Sequence, residues 1–197
     1  MDIATAAPYV VGLVTITATI ILVSRDWRVS ISAMGAQYVG VLLLVALSWP
    51  LELAVIKLIA GWIAAASLGI SLIENPKNLE HEVGYWISGG LFRVFTAGMM
   101  GLAMLSLRPT VAEWAVHATF NQILGSMILM SFGLLHLGFT TEPDRIILGL
   151  LTILSGFEII YCTMEASLLV NAFLAVITLG IALIGAFLLT LPKLETE

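Results

Sequence analysis

The sequence predicts an all-α membrane protein of about seven transmembrane helices, with its N-terminus outside and its C-terminus cytoplasmic. Three observations lead there. Of 197 residues, 60 % are apolar and only 11 % charged, whereas a soluble domain carries roughly a quarter charged residues. The apolar residues fall in runs of the length, about 20, that a helix needs to cross about 30 Å of hydrocarbon. No run shows the alternation at period two that a membrane β-barrel requires. The same composition excludes other classes. Eight basic residues against thirteen acidic ones give a net charge of −5, with no basic stripe to hold nucleic acid. A single cysteine, Cys162, excludes a disulfide framework and a cysteine-cluster metal site.

Seven stretches qualify as spans: 3–23, 29–48, 51–73, 86–107, 112–137, 146–164 and 167–191. The first lacks a basic leader and is too long for a signal-peptide core, so it reads as a span. The second follows the charged loop 24–28, and Pro50 makes the tight turn into the third. The fourth follows the acidic stretch ENPKNLEHE (74–82). The last two divide near Glu165–Ser167, because one helix over 146–191 would be too long for a bilayer. Loops 24–28, 74–85, 138–145 and the C-terminal tail carry Arg25, Arg28, Lys77, Arg145 and Lys193, while the opposite side carries only Arg108. That bias sets the expected orientation, with Trp27, Trp49, Tyr85, Trp86 and Trp114 as interfacial belts. The longest loop, 74–85, is too short for a soluble catalytic domain. No catalytic residue, cofactor or metal is therefore expected, and the lipid bilayer is the immediate partner.

Function must then lie in the polar groups inside spans. An ionisable side chain at mid-helix costs about 2.5–3.5 kcal/mol on insertion scales, so it marks a pathway or a buried pair. Lys57, Arg93 and Glu158 are the interior candidates; Glu52, Glu113 and Glu165 lie near predicted ends, where interface residence explains them. Arg93, seven residues into its span, has a stem long enough to snorkel. Lys57 lies six residues into the third span, about 9 Å deep. Glu158 lies twelve residues into the sixth, about 18 Å from one surface and about 12 Å from the surface nearer Lys57. These spans run antiparallel, so the two groups fall at nearly one depth, where a Lys–Glu pair lets both stay charged. Glu158 and Glu165 are two turns apart on one face. That spacing suits two steps of a proton relay, or one buried carboxylate and one at a helix end.

Other residues read more plainly. His117 and His136 sit near opposite ends of the fifth span, about 28 Å apart, and His81 in a loop, so none pairs for a bis-His haem. Gly61 with Ala65, and Gly98 with Gly101, read as packing surfaces; Asn121, Gln122 and Asn171 read as interhelical hydrogen-bonders. Arg93, Gln37, Glu52 and His136 are secondary candidates for an ion path.

A family resemblance rests on specific stretches. SRDWRVSISAMGAQ (24–37), a tight turn, then LAVIKLIAGWIAAASLGISL (53–72) with its intramembrane lysine resembles the first half of hydrogenase-4 component E. DRIILGLLTILSGFEII (144–160) places Arg145 thirteen residues before Glu158, which resembles that family's final helix pair. LSGFEII is also similar to the glutamate-bearing helix of the K-type small subunit of complex I and of the C-type subunit of multisubunit cation/proton antiporters. The likeness covers about two-thirds of the chain, chiefly 20–75 and 140–191. In the K- and C-type relatives the arginine-to-glutamate spacing is shorter by about one helical turn. Ile159 and Ile160 stand where asparagine-glycine often follows the family glutamate, and Glu165 in YCTMEAS is the competing match.

The resemblance implies a cofactor-free, non-catalytic subunit of a complex I-like or membrane-hydrogenase-like respiratory assembly in a prokaryotic plasma (inner) membrane. It would sit beside large antiporter-like subunits and contribute a proton or sodium path. Glu158 or Glu165 would be the relay carboxylate, Lys57 its modulating cation, and Arg25, Arg28 and Arg145 cytoplasmic loop anchors. Gln37 matches a glutamine of the family's second span. Two other readings stand beside it. A small stand-alone transporter would call for paired Gly/Pro interruptions in its two halves, which the spans lack. A structural scaffold would use Lys57 and Glu158 for stability alone.

Overall fold

The computed structural model describes residues 3–74, 89–165 and 167–190. It contains α1 (Ile3–Val23), α2 (Trp27–Val45), α3 (Leu51–Glu74), α4 (Gly90–Ala112), α5 (Phe120–Gly138), α6 (Pro143–Met164) and α7 (Leu168–Thr190). All seven are long and apolar enough to cross a membrane, so the all-helical membrane class holds. Lys77, His81, Tyr85, Trp86, Lys193 and the acidic stretch after Glu74 lie outside the described residues.

Local chemistry explains the boundaries. Asp26 starts α2 two residues before the expected Val29, because its carboxylate accepts the Arg28 N–H at 2.9 Å. Pro50 turns the chain into α3 and its carbonyl accepts the Leu53 and Ala54 N–H groups at 3.1 and 3.2 Å. Pro143 opens α6 earlier than the expected 146, since a first-turn proline lacks only an N–H that would have no helical partner.

The fourth and fifth spans need correction. They were expected at 86–107 and 112–137, yet α4 runs to Ala112 with Pro109 inside it, and α5 begins only at Phe120. The start of α5 is fixed by a capping box: Thr119 accepts the Gln122 N–H while the Gln122 side chain accepts the Thr119 N–H. The shift moves His117 out of the fifth span into the 113–119 turn and draws Arg108 into α4. Arg93 comes to lie in the first turn of its helix rather than seven residues in, and Arg28 falls in the first turn of α2.

The principal contacts join α1, α2, α3, α7, α6 and α5 into a ring, with α2 touching α6 across its middle and α4 outside against α5 and α1. One apolar cluster fills the α1–α2–α5 side around Val14, Val41, Leu44 and Leu129. A second fills the α2–α3–α6–α7 side around Met34, Ala64, Leu68 and Leu151. Glycines allow the closest approaches. A side chain at Gly156 would strike the Ser126 carbonyl on α5, and one at Gly61 would strike the Tyr38 ring. Among the described residues Gly98 and Gly101 meet nothing within 4 Å, so none of them packs on the surface expected there. On α4 only Arg93 and Ala97 are buried, which leaves that helix a peripheral one.

Candidate functional site

Periodicity delivers Lys57 to the interior. Ala54, Lys57, Gly61, Ala64, Ala65 and Leu68 recur every three or four residues on the buried face of α3, so the lysine points inward among small side chains. Its Nζ lies 2.7 Å from Glu158 Oε1, and both residues are at most 3 % exposed. Lys57 also donates to the Asn171 carbonyl at 3.5 Å, and Asn171 Nδ2 donates to the Leu53 carbonyl at 3.3 Å, tying α7 to α3. The Thr178 hydroxyl, 3.0 Å from the Leu174 carbonyl, also reaches the Glu158 carboxylate. The pair therefore closes the junction of three helices. Lys57 is six residues from the start of α3 and Glu158 six from the end of α6, so both lie about 9 Å from the same end of the bundle.

The energetics of such a pair are lopsided. Desolvating two charges costs several kcal/mol each, which close contact and added hydrogen bonds offset. Removing one partner leaves a bare buried charge and costs about 3–5 kcal/mol. The second contacts, from Asn171 and Thr178, hold each partner in place.

Glu158 belongs to a polar stripe. Along α6, Thr152, Ser155, Glu158 and Cys162 recur at helical spacing and all are buried. Gln37 Nε2 donates to Thr152 Oγ1 at 3.5 Å, and the Tyr38 hydroxyl meets Ser155. The absence of a side chain at Gly61 is what seats the Tyr38 ring there. Gln37 thus joins the stripe about 9 Å from Glu158 along the helix, a rise of six residues. Sequence reasoning missed Thr152, Ser155, Tyr38 and Thr178. The first two were findable, six and three residues before Glu158 on its own helical face.

Beyond Glu158 the stripe opens outward. The α2–α3 turn, the α4–α5 turn and the end of α6 enclose an open cavity of about 420 Å³, lined by residues that include Ser48, Trp49, His117, Cys162 and Glu165. Cys162 lies one turn from Glu158. Glu165 caps α6 with extended backbone, is exposed, and accepts the Tyr161 hydroxyl at 2.9 Å. Glu158 and Glu165 are therefore a buried carboxylate and a helix-end carboxylate; Glu165 lines the cavity, and Cys162 of its wall stands one turn from Glu158.

The remaining candidates lie elsewhere. At the opposite end of the bundle Arg93 Nη1 donates to the Leu22 carbonyl at 3.0 Å. Arg145 Nη2 donates to the Ser24 carbonyl at 2.7 Å, and its Nε pairs with Glu142 at 3.0 Å. His136 is buried near both arginines. Arg145 lies thirteen residues and about 20 Å from Glu158 along α6, so the two do not meet. Glu52 and Glu113 are exposed at helix ends. In comparisons with known proteins, no family model, no curated protein and no solved structure matches the chain.

Proposed function

We propose that this protein is a non-catalytic subunit that relays protons within a larger membrane assembly, with Glu158 as the group that takes up and releases the proton. The observation that carries this reading is the 2.7 Å Lys57–Glu158 pair, buried one helical turn from an open cavity that Cys162 lines and continued by hydroxyl groups along α6. A proton arriving at Glu158 neutralises the carboxylate and loosens the ion pair. Lys57 keeps the Asn171 carbonyl as a hydrogen-bond partner while it waits for the carboxylate to ionise again. The ammonium already occupies the place that a sodium ion would take at the carboxylate, which favours a proton as the carried ion.

The route toward the Arg145 end supports passage sideways. Past Thr152 the buried face of α6 is Leu151, Leu148 and Ile147, with Met34 in the same apolar cluster. Two apolar turns interrupt the stripe, so a proton at Glu158 has no continuous polar path across this bundle through the described residues of α6. A subunit that hands its charge to a neighbour has no need of one. The resemblance of 20–75 and 140–191 to hydrogenase-4 component E supplies the kind of neighbour: antiporter-like subunits of a respiratory assembly in a prokaryotic inner membrane.

The test uses native membranes carrying Glu158→Gln, Lys57→Met or both. Native gels follow assembly, and proton translocation is normalised to the assembled complex. A relay predicts that Glu158→Gln assembles and loses most translocation. Full translocation in an assembled Glu158→Gln complex would overturn it. Co-purification with antiporter-like subunits in mild detergent tests the assembly, and recovery of the chain alone would count against it.

A further inference from the structure

We infer that the cavity at the end of α6 is a one-sided water port through which protons reach Glu158, with Cys162 at its neck and Glu165 at its rim. The use assigned to the port rests on the relay proposed above; its existence and its sidedness do not.

Four observations converge. The cavity, about 420 Å³, holds several waters, each of which needs roughly 30 Å³ and two to four polar partners. Its wall offers such partners in Ser48, His117, Thr163 and Glu165. Trp49 lines the same cavity, is only 4 % exposed, and its indole Nε1 finds no acceptor among the described residues. A buried indole N–H normally has a hydrogen-bond partner, and water in the cavity supplies one. Finally, Cys162 forms part of the wall and lies close enough to Lys57 and Glu158 to feel both charges. The cavity thus stops one helical turn short of the ion pair, and Cys162 stands in that turn.

Sidedness follows from the other end. There Arg145 and Arg93 are bound to the Ser24 and Leu22 carbonyls, and Leu148 and Leu151, 3 % and 0 % exposed, separate them from Thr152. Among the described residues, the approach to Glu158 is polar from the cavity side and apolar from the Arg145 side. The transfer itself is simple: a hydronium ion in the cavity gives its proton to a Glu158 carboxylate oxygen and remains as water. Glu165, hydrogen-bonded by Tyr161, stands at the mouth.

The single cysteine of the wild-type chain makes the test direct. Native membrane vesicles of both orientations are treated with a charged, membrane-impermeant methanethiosulfonate. Two markers in a Cys162→Ser background define the faces: Trp114→Cys on the α4–α5 turn and Thr141→Cys on the α5–α6 turn. The port predicts that wild-type Cys162 reacts from the Trp114 face at least an order of magnitude faster than from the Thr141 face. Thr163→Cys in the same background, on the cavity wall, must share that sidedness. Reaction of these positions from the Thr141 face, from both faces equally, or from neither would overturn the port. If they label from the Trp114 face while Glu158→Gln still translocates fully, the port stands and the relay falls.

Discussion

Two regions of this molecule bury cations, and they do so in opposite ways. At the junction of α3, α6 and α7, Lys57 is matched to a carboxylate that can lose and regain its charge. At the far end, Arg93 and Arg145 are bound to the backbone carbonyls of Leu22 and Ser24. Carbonyls do not titrate, and a guanidinium stays protonated in proteins. Glu142 and the buried His136 stand beside these arginines, but two apolar turns of α6 part them from Thr152, so the far cluster anchors helices away from the polar stripe. The Lys57–Glu158 pair joins helices on that stripe, so a buried charge suggests transport only when its partner can change charge and a polar approach leads to it.

Mutations sharpen that contrast. The largest effect falls on the pair. Lys57→Ala or Glu158→Ala alone leaves an uncompensated charge and lowers stability by about 3–5 kcal/mol, read from unfolding in mild detergent. Lys57→Met with Glu158→Leu recovers most of that loss while translocation stays absent. A double variant as unstable as the singles would show that the hydrogen bonds made at Asn171 matter more than the charges.

Arg145→Met comes next. It loses the charged hydrogen bond to Ser24 and costs about 1.5–3 kcal/mol in the same assay, with translocation per assembled complex unchanged. A selective loss of translocation would erase the distinction between the two regions. Gly61→Ala overpacks against Tyr38 and costs about 1–3 kcal/mol, moving the Tyr38 hydroxyl off Ser155. Its counterpart Gly98→Ala, with open space around the site, changes stability by less than about 0.5 kcal/mol. Glu52→Gln, exposed in the first turn of α3, belongs in the same small class.

That glycine comparison also shows what the sequence could and could not reveal. Gly61–Ala65 and Gly98–Gly101 look alike on paper, yet among the described residues only the first meets another helix. The difference lies in which helix ended up outside the ring, and no local pattern encodes that. Helix count was legible because bilayer thickness imposes a length on every apolar run. The Lys57–Glu158 pairing was legible in depth because helical rise is constant, but its 2.7 Å contact needed the lateral arrangement of α3, α6 and α7. The α4–α5 boundary was misread because apolar residues still make up half of 108–119, and the Thr119–Gln122 capping signal at its end outweighs the expected break at 107–112. Tyr38 and Thr178 left no trace in the linear pattern. A hydroxyl in a helix can satisfy itself on a carbonyl one turn back, as Thr178 does at Leu174, so its approach to a distant carboxylate is visible only in three dimensions.

Infrared difference spectroscopy of Glu158 is the most direct probe of the relay. On a pH step applied to membranes from the cavity side, proton uptake at a buried carboxylate produces a protonated-carboxyl band that shifts in heavy water. A relay predicts this band in the wild type, its absence in Glu158→Gln, and its retention in Arg145→Met. A wild-type spectrum indistinguishable from that of Glu158→Gln would mean that Lys57 and Glu158 hold helices together and carry nothing.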